Sequence, residues 1–335
     1  MRVAVFGTRK YDRAYLSAAN TSHQHELVFY EADMDSGTVP LAAKCDAVCV
    51  FVNDVLDATV LKELAALGIK LVALRCAGFN NVDLAAAASL GIDVVRVPAY
   101  SPHAVAEFSI GLLLALDRKI HRAWARTREN NFSLDGMVGR NLHGRVVGVI
   151  GTGRIGAIVA RILQTGFGCR VLAADLTENP ELKAAGVEYV SRETLLREAE
   201  IVTLHCPLTP DSRHLIDSTA LDMARPGLLL INTSRGGLID TIALIEALKS
   251  GKVGGVALDV YEQEGDLFFR DLSDEIVQDD IFQRLLTFPN VLVTGHQAFL
   301  TQEALAAIAQ TTLANLSDAE AGRELTNRVT QEMVR

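Results

Sequence analysis

Val146-Val147-Gly148-Val149-Ile150-Gly151-Thr152-Gly153-Arg154-Ile155-Gly156 decides how this chain folds. The first five residues form a buried-strand run, the glycines follow at once, and an apolar helical pattern comes next. Gly151 permits a tight turn, Gly153 lets backbone N–H groups approach a pyrophosphate at the helix N-terminus, and Gly156 allows the helix to pack closely on the strand. A second strand, Arg170-Val171-Leu172-Ala173-Ala174, leads to Asp175, at the separation from the glycines expected of a carboxylate that binds adenosine ribose hydroxyls. A glycine turn without a ligand needs none of this context, so strand, turn, helix, strand and acid together predict a dinucleotide site. The Asp175 carboxylate accepts hydrogen bonds from a free ribose 2′-hydroxyl and repels a 2′-phosphate, and Leu176-Thr177 supplies no adjacent arginine to compensate. NAD is therefore expected rather than NADP.

About 145 residues precede the loop, enough for another domain. The chain has 335 residues, of which 49% are hydrophobic and 22% charged, the composition of a folded globular protein with one large or two medium cores. Lys+Arg 32 against Asp+Glu 41 gives a net charge of -9, which argues against nucleic acid or an anionic membrane as partner; an anionic substrate must find local positive charge. No apolar stretch reaches membrane-span length, and Met1-Arg2-Val3-Ala4-Val5-Phe6-Gly7 enters a strand directly rather than through a signal segment, so a cytoplasmic protein is expected. The cysteines Cys45, Cys49, Cys76, Cys169 and Cys206 are odd in number and lie in apolar runs, which suits reduced, mostly buried thiols. Cys45 and Cys49 lack the nearby histidine or second cysteine pair of a zinc site, and no metal is expected.

Strand-like runs Val3–Phe6, Leu27–Tyr30, Ala47–Val52, Leu71–Leu74 and Val94–Val97 alternate with alanine- and leucine-rich helical stretches, implying a parallel sheet with helices on both faces. The first turn, Gly7-Thr8-Arg9-Lys10, lacks the second and third glycines, so no cofactor is assigned there and this is read as the substrate side. Pro98 and Pro102 flank Ala99-Tyr100-Ser101 and mark a domain crossover. The pattern then predicts one long helix with its body from Ala104 to Trp124, apolar enough to pack between domains or subunits, with Trp124 as a packing residue. From Val146 to Val293 the alternation predicts a six-stranded doubly wound sheet with strands at Val146–Ile150, Val171–Ala174, Ile201–Leu204, Leu228–Ile231, Gly255–Leu258 and Val291–Val293. Gln302–Leu316 reads as a final helix before a polar tail.

Reactive side chains gather at predicted strand ends, where open α/β sheets bind ligands. In Asn232-Thr233-Ser234-Arg235-Gly236-Gly237, Arg235 follows an apolar strand and precedes two glycines, which exposes a guanidinium able to clamp a carboxylate; a plain surface ion pair is the alternative. His296 follows the strand Val291-Leu292-Val293, and Glu264 follows another, so imidazole and carboxylate could meet as an acid/base unit. The carboxylate would favour the imidazolium, raising the histidine pKa and fixing the ring so that its second nitrogen donates a proton. Spacing alone leaves Asp259, Glu262 and Asp266 as rival acids, and an unrelated surface histidine as the bland reading.

These motifs, in this order, resemble the D-isomer-specific 2-hydroxyacid dehydrogenases over nearly the whole chain. The likeness includes the glycine loop, His205-Cys206-Pro207-Leu208-Thr209 after a strand, Thr233-Ser234-Arg235-Gly236-Gly237 and the succession Asp259, Glu264, His296. Arg75-Cys76-Ala77-Gly78-Phe79-Asn80-Asn81, Val97-Pro98-Ala99-Tyr100-Ser101-Pro102-His103, the run from Tyr261 to Phe269 and His296-Gln297-Ala298-Phe299-Leu300-Thr301 look like the bacterial fermentative D-lactate dehydrogenase branch.

The resemblance implies a Rossmann coenzyme domain, residues 100–298, inserted into a flavodoxin-like substrate domain made of residues 1–99 and 299–335. Closure of the two should expel water around the substrate. It implies NADH-dependent reduction of pyruvate to D-lactate: Arg235 binds the keto-acid carboxylate and polarises its carbonyl, His296 protonates the carbonyl oxygen as hydride arrives, and Glu264 keeps His296 protonated. Backbone amides of Ala77 and Gly78 would anchor the carboxylate, and Tyr100 and Phe299 would wall the C3 end. Gly153, Arg154 and Ile155, within the Gly151 to Gly156 loop, would face the pyrophosphate. His205, Cys206 and Pro207 would face the adenine-side ribose region, and Thr233 and Asp259 the nicotinamide end, with Ser234 beside them; Asp259 could instead be a structural carboxylate, and Cys206-Pro207 a strand terminus. A homodimer or homotetramer is expected. Another short 2-keto acid, such as glyoxylate or hydroxypyruvate, and a non-catalytic NAD-sensing interaction protein are the competing readings. Formate oxidation is disfavoured because that branch pairs its histidine with an amide, and a phosphoglycerate enzyme because no long regulatory extension follows the last helix.

Overall fold

The computed structural model describes residues 1–334, and these divide into two compact units, residues 1–101 with 300–334, and residues 102–299. In the first unit, β1 (Arg2–Val5), β2 (Glu26–Phe29), β3 (Ala47–Val50), β4 (Leu71–Leu74) and β5 (Asp93–Val95) form one sheet in the order β2-β1-β3-β4-β5. Every pairing is parallel, the flavodoxin-like arrangement. Side-chain alternation splits these runs between two cores. Ala4, Phe6, Val48, Val50, Val72 and Leu74 fill one face. Val3, Val5, Ala47, Cys49 and Ala73 fill the other, where they meet Ala309, Leu313 and Leu316 of the helix Gln302–Glu320, which returns from the far end of the chain.

The second unit holds β6 (Val146–Ile150), β7 (Arg170–Ala174), β8 (Glu188–Tyr189), β9 (Ile201–Leu204), β10 (Leu228–Asn232), β11 (Val253–Leu258) and β12 (Val291–Val293). They pair in parallel in the order β12-β11-β10-β9-β6-β7-β8. The chain order reverses between β6 and β9, where doubly wound sheets open a crevice for ligands. The sequence predicts six strands and the structure has a seventh: β8 is two residues at the sheet edge, too short for any periodicity to announce.

The expected long helix is also corrected. It ends at Asp117, Lys119 takes a left-handed φ of +54°, and a second helix runs Ile120–Arg128. The break falls on Asp117-Arg118-Lys119, where the Asp117 carboxylate is drawn away by the backbone N–H and guanidinium of Arg140, at 3.0 Å each. The helix Pro102–Asp117 buries Ala106, Ile110, Leu112, Leu113 and Leu116 against Val147, Val149 and Ile231, inside its own unit. Trp124, expected to pack, is 64% exposed, with the Arg128 guanidinium over its ring. Among the described residues no helix is long and apolar enough to cross a membrane, and the five thiols are unpaired, four of them buried.

Candidate active site

The loop after β6 is built so that only glycine fits at two of its positions. Gly151 has φ +88°, and a Cβ there would lie 2.5 Å from the Cys206 backbone nitrogen. A Cβ on Gly156 would lie 1.9 Å from the Gly151 carbonyl oxygen. Gly153 is different: it caps the helix Arg154–Arg161 without a side-chain hydrogen bond, and a Cβ there would meet nothing within 4 Å. The helix thus begins at an open position, with Arg154 and Ile155 in its first turn, and a pyrophosphate needs room of this kind at a helix N-terminus. Asp175 stands exposed just past β7, and its Oδ2 accepts from the Thr152 backbone N–H at 2.5 Å and the Thr152 hydroxyl at 3.0 Å. Open helix terminus and exposed acid fit a dinucleotide.

Beyond β9, His205, Cys206 and Pro207 run alongside the glycine loop; the His205 Cβ would be 3.2 Å from a Cβ on Gly156. Desolvation alone pushes the His205 imidazole down to about 3, so it is neutral at physiological pH, with Nε2 2.9 Å from the Thr203 hydroxyl. Burial raises the Cys206 thiol to about 11, an unreactive protonated sulfur.

The turn after β10 is shaped by Asn232, fully buried, whose side chain donates to the Arg235 carbonyl at 2.8 Å and accepts from the Ser234 N–H at 3.0 Å. Ser234 Oγ donates to the Cys206 carbonyl at 2.6 Å. Ser109 Oγ, on the helix Pro102–Asp117, gives its proton to the Val105 carbonyl, so the 2.7 Å contact between Ser109 and Thr233 is donated by the Thr233 hydroxyl. Arg235 is half-buried, its Nη1 donates to the Ser234 carbonyl at 2.7 Å, and among the described residues it forms no salt bridge. The surface ion pair weighed against it is not there.

Four acids compete for His296 in sequence, and the structure sorts them. Glu264 Oε1 lies 2.7 Å from His296 Nδ1, while its Oε2 accepts from the Tyr261 N–H at 2.9 Å. Glu262 instead binds Arg213 and His214, at 2.7 and 2.8 Å, and Asp266 is exposed. Asp259, fully buried, accepts from the Thr294 hydroxyl and the Gln297 N–H on Oδ1 and from the Ala298 N–H on Oδ2. Burial pushes its carboxyl above the usual range against the pull of those donors. Asp259 thus grips the turn on both sides of His296, whose own φ is +53°. The ring centroid of Phe269 stands 5.6 Å from that of His296, and Phe299 is buried at the end of the same turn. Arg235, Asp259 and His296 therefore follow three neighbouring strands, β10, β11 and β12, at one sheet edge.

In the first unit, Ala77 and Gly78 follow β4. Their carbonyls accept from Arg96 Nη1 at 2.8 Å and the Cys76 thiol at 3.3 Å, and neither N–H has a partner among the described residues. Tyr100 is half-buried beyond β5. Sequence reasoning assigned no role to Thr152, Asn232, Ser109, Phe269 or Tyr189. Thr152 and Asn232 lie inside recognised motifs, whereas Ser109 and Tyr189 belong to the site only through contacts more than thirty residues away in the chain.

The family model for the D-isomer specific 2-hydroxyacid dehydrogenase, NAD binding domain, matches residues 110–298. A 2-hydroxyacid dehydrogenase homolog of Schizosaccharomyces pombe is 56% identical over 318 residues, 95% of this chain and 96% of that protein. D-lactate dehydrogenase of Escherichia coli is 52% identical over 329 residues, covering 98% of this chain and 100% of the relative. The solved structure of a pyruvate reductase of Chlamydomonas reinhardtii superposes with a TM-score of 0.92 at 47% identity, over 98% of both chains.

Proposed function

The chain belongs to the D-isomer-specific 2-hydroxyacid dehydrogenases, and on that footing we propose that it reduces pyruvate to D-lactate with NADH and catalyses the reverse oxidation. Bound NADH supplies the hydride that reduces C2 of the keto acid. Arg235 holds the carboxylate through its planar fork and draws charge toward the carbonyl oxygen. His296, its Nδ1 engaged by Glu264, presents Nε2 to that oxygen and delivers the proton. The roles of Ala77 and Gly78 as carboxylate anchors, and of Tyr100 and Phe299 as the C3 wall, come from the family resemblance, as do those of Thr233 and Asp259 toward the nicotinamide. Gly151, Gly153, Arg154, Ile155, Gly156 and Asp175 hold the cofactor's pyrophosphate and ribose, flanked by His205, Cys206, Pro207 and Ser234.

The 2.7 Å pairing of His296 with Glu264 at the sheet edge that carries Arg235 is the observation that supports this reading most. NADH loss with pyruvate, followed by chiral analysis of the product, tests it. Turnover of a bulky keto acid equal to or better than pyruvate would replace D-lactate with another 2-hydroxyacid as the product. Five unpaired thiols, four of them buried, support a cytoplasmic setting.

A homo-oligomer completes the proposal, and of the helix expected to carry it only the second part is placed to do so: Pro102–Asp117 packs inside its own unit, whereas Ile120–Arg128 buries no side chain. Ile120, Trp124, Phe132, Leu134 and Val138 are exposed apolar side chains on the next helix and the loop after it, and they are the better self-association patch. Light scattering showing a monomer would refute this.

A further inference from the structure

We propose that Tyr189, acting through Thr152, positions the Asp175 carboxylate and so contributes to the preference for NAD over NADP. The inference rests on the assignment of Asp175 to the adenosine ribose. Tyr189 sits on β8, in register beside Ala173 of β7, and its ring packs against the core on that face of the sheet. Its hydroxyl accepts from the Asn179 backbone N–H at 2.8 Å and lies 2.9 Å from Thr152 Oγ1. Asn179 is itself fixed: its side chain caps the helix Pro180–Ala184.

The direction of every proton in this chain is forced. A backbone N–H only donates, so the Tyr189 oxygen is an acceptor toward Asn179, and because the one Thr152 hydroxyl proton is taken by Asp175, the bond between Tyr189 and Thr152 is donated by the phenol. An ionised carboxylate only accepts, so the Thr152 proton goes on to Asp175 Oδ2, which also takes the Thr152 backbone N–H. Asp175 Oδ2 is thereby committed to the glycine loop. Oδ1, with only a 3.3 Å contact from the Thr177 N–H, is the oxygen left to a ligand. An anion aimed in this way accepts from a ribose hydroxyl and repels a phosphate on it. Without the phenol oxygen, the Thr152 hydroxyl is free to turn and the Asn179 N–H loses its partner, while the backbone bond from Thr152 remains. Tyr189 is a positioning residue, since it acts on Asp175 through Thr152.

The test measures NADH and NADPH affinity by fluorescence titration of the full-length protein without substrate, alongside KM and kcat for each cofactor. Tyr189→Phe should weaken NADH binding roughly three- to tenfold, the loss of one hydrogen bond, with NADPH little changed and the effect on KM rather than kcat. Thr152→Val should do at least as much, and Thr152→Ser should restore the wild-type ratio. In an Asp175→Ala background, Tyr189→Phe should add nothing, because both act on one carboxylate. If Asp175→Ala narrows the preference but Tyr189→Phe leaves it unchanged, the network is purely structural and the proposal fails. If Asp175→Ala itself leaves the preference unchanged, the assignment of Asp175 fails instead.

Discussion

Nδ1 of His296 lies 2.7 Å from Oε1 of Glu264, on a histidine whose backbone is left-handed at φ +53°. That conformation costs an L side chain about 1–2 kcal/mol, and it persists because donors on either side of the histidine are held by Asp259. The ring is therefore fixed twice, by its side-chain partner and by its turn.

His296→Ala should lower kcat for pyruvate reduction by about 10²–10⁴ with a smaller effect on KM, since the proton donor is removed and the carboxylate clamp kept. Glu264→Gln should be milder. Its single amide oxygen can accept from His296 or from the Tyr261 N–H but not from both, so the ring loses part of its support and kcat should fall severalfold. Near-normal reduction by the alanine variant in steady-state assays would end the mechanism.

Asp259→Asn separates positioning from stability. The new amide nitrogen replaces an acceptor of a backbone N–H, which costs about 1–3 kcal/mol, but removing a charge that burial already disfavours offsets part of this. Urea unfolding should show a small loss while kcat falls severalfold or more, because the turn carrying His296 relaxes. A wild-type kcat would show that the turn holds itself.

Arg235→Lys should raise KM for the keto acid and lower kcat/KM by about 10²-fold or more, a point charge being a poor substitute for a planar fork. Isothermal titration with a non-reducible carboxylate analogue gives the binding part directly. Unchanged affinity would mean that the carboxylate is held elsewhere.

His205 makes stability depend on pH. The unfolded chain protonates it near 6.5, the folded chain only near 3, so between these values the unfolded state binds more protons. Stability from this group is whole above pH 6.5 and declines as pH falls below it. Acidification from pH 7 to 5 should therefore lower the Tm of wild type more than that of His205→Gln. Equal slopes of Tm against pH would show that the imidazole titrates freely in the folded protein.

The strands and the glycine loop were legible because their signals are local: continuous apolar runs for strands buried on both faces, and glycines where a Cβ would strike backbone. Arg235 and His296 could be picked out because they follow such runs, whereas only the family resemblance singles out Glu264 from its rival acids. What stayed hidden was short or distant. Glu188–Tyr189 has no period to read, the break at Lys119 lies next to a contact between Asp117 and the distant Arg140, and Trp124 is exposed although the sequence reads it as a packing residue.

The order of apolar runs and turns by itself determined two parallel sheets, a dinucleotide loop and the strand ends at which chemistry could sit, since backbone geometry and burial act over a few residues. Only the tertiary structure decided which acid meets His296, that both oxygens of Asp259 brace the histidine's turn, and that Tyr189 reaches Asp175 through Thr152. Those are hydrogen bonds between groups far apart in the chain, and their length and direction exist only once sheet order and register have brought the partners together.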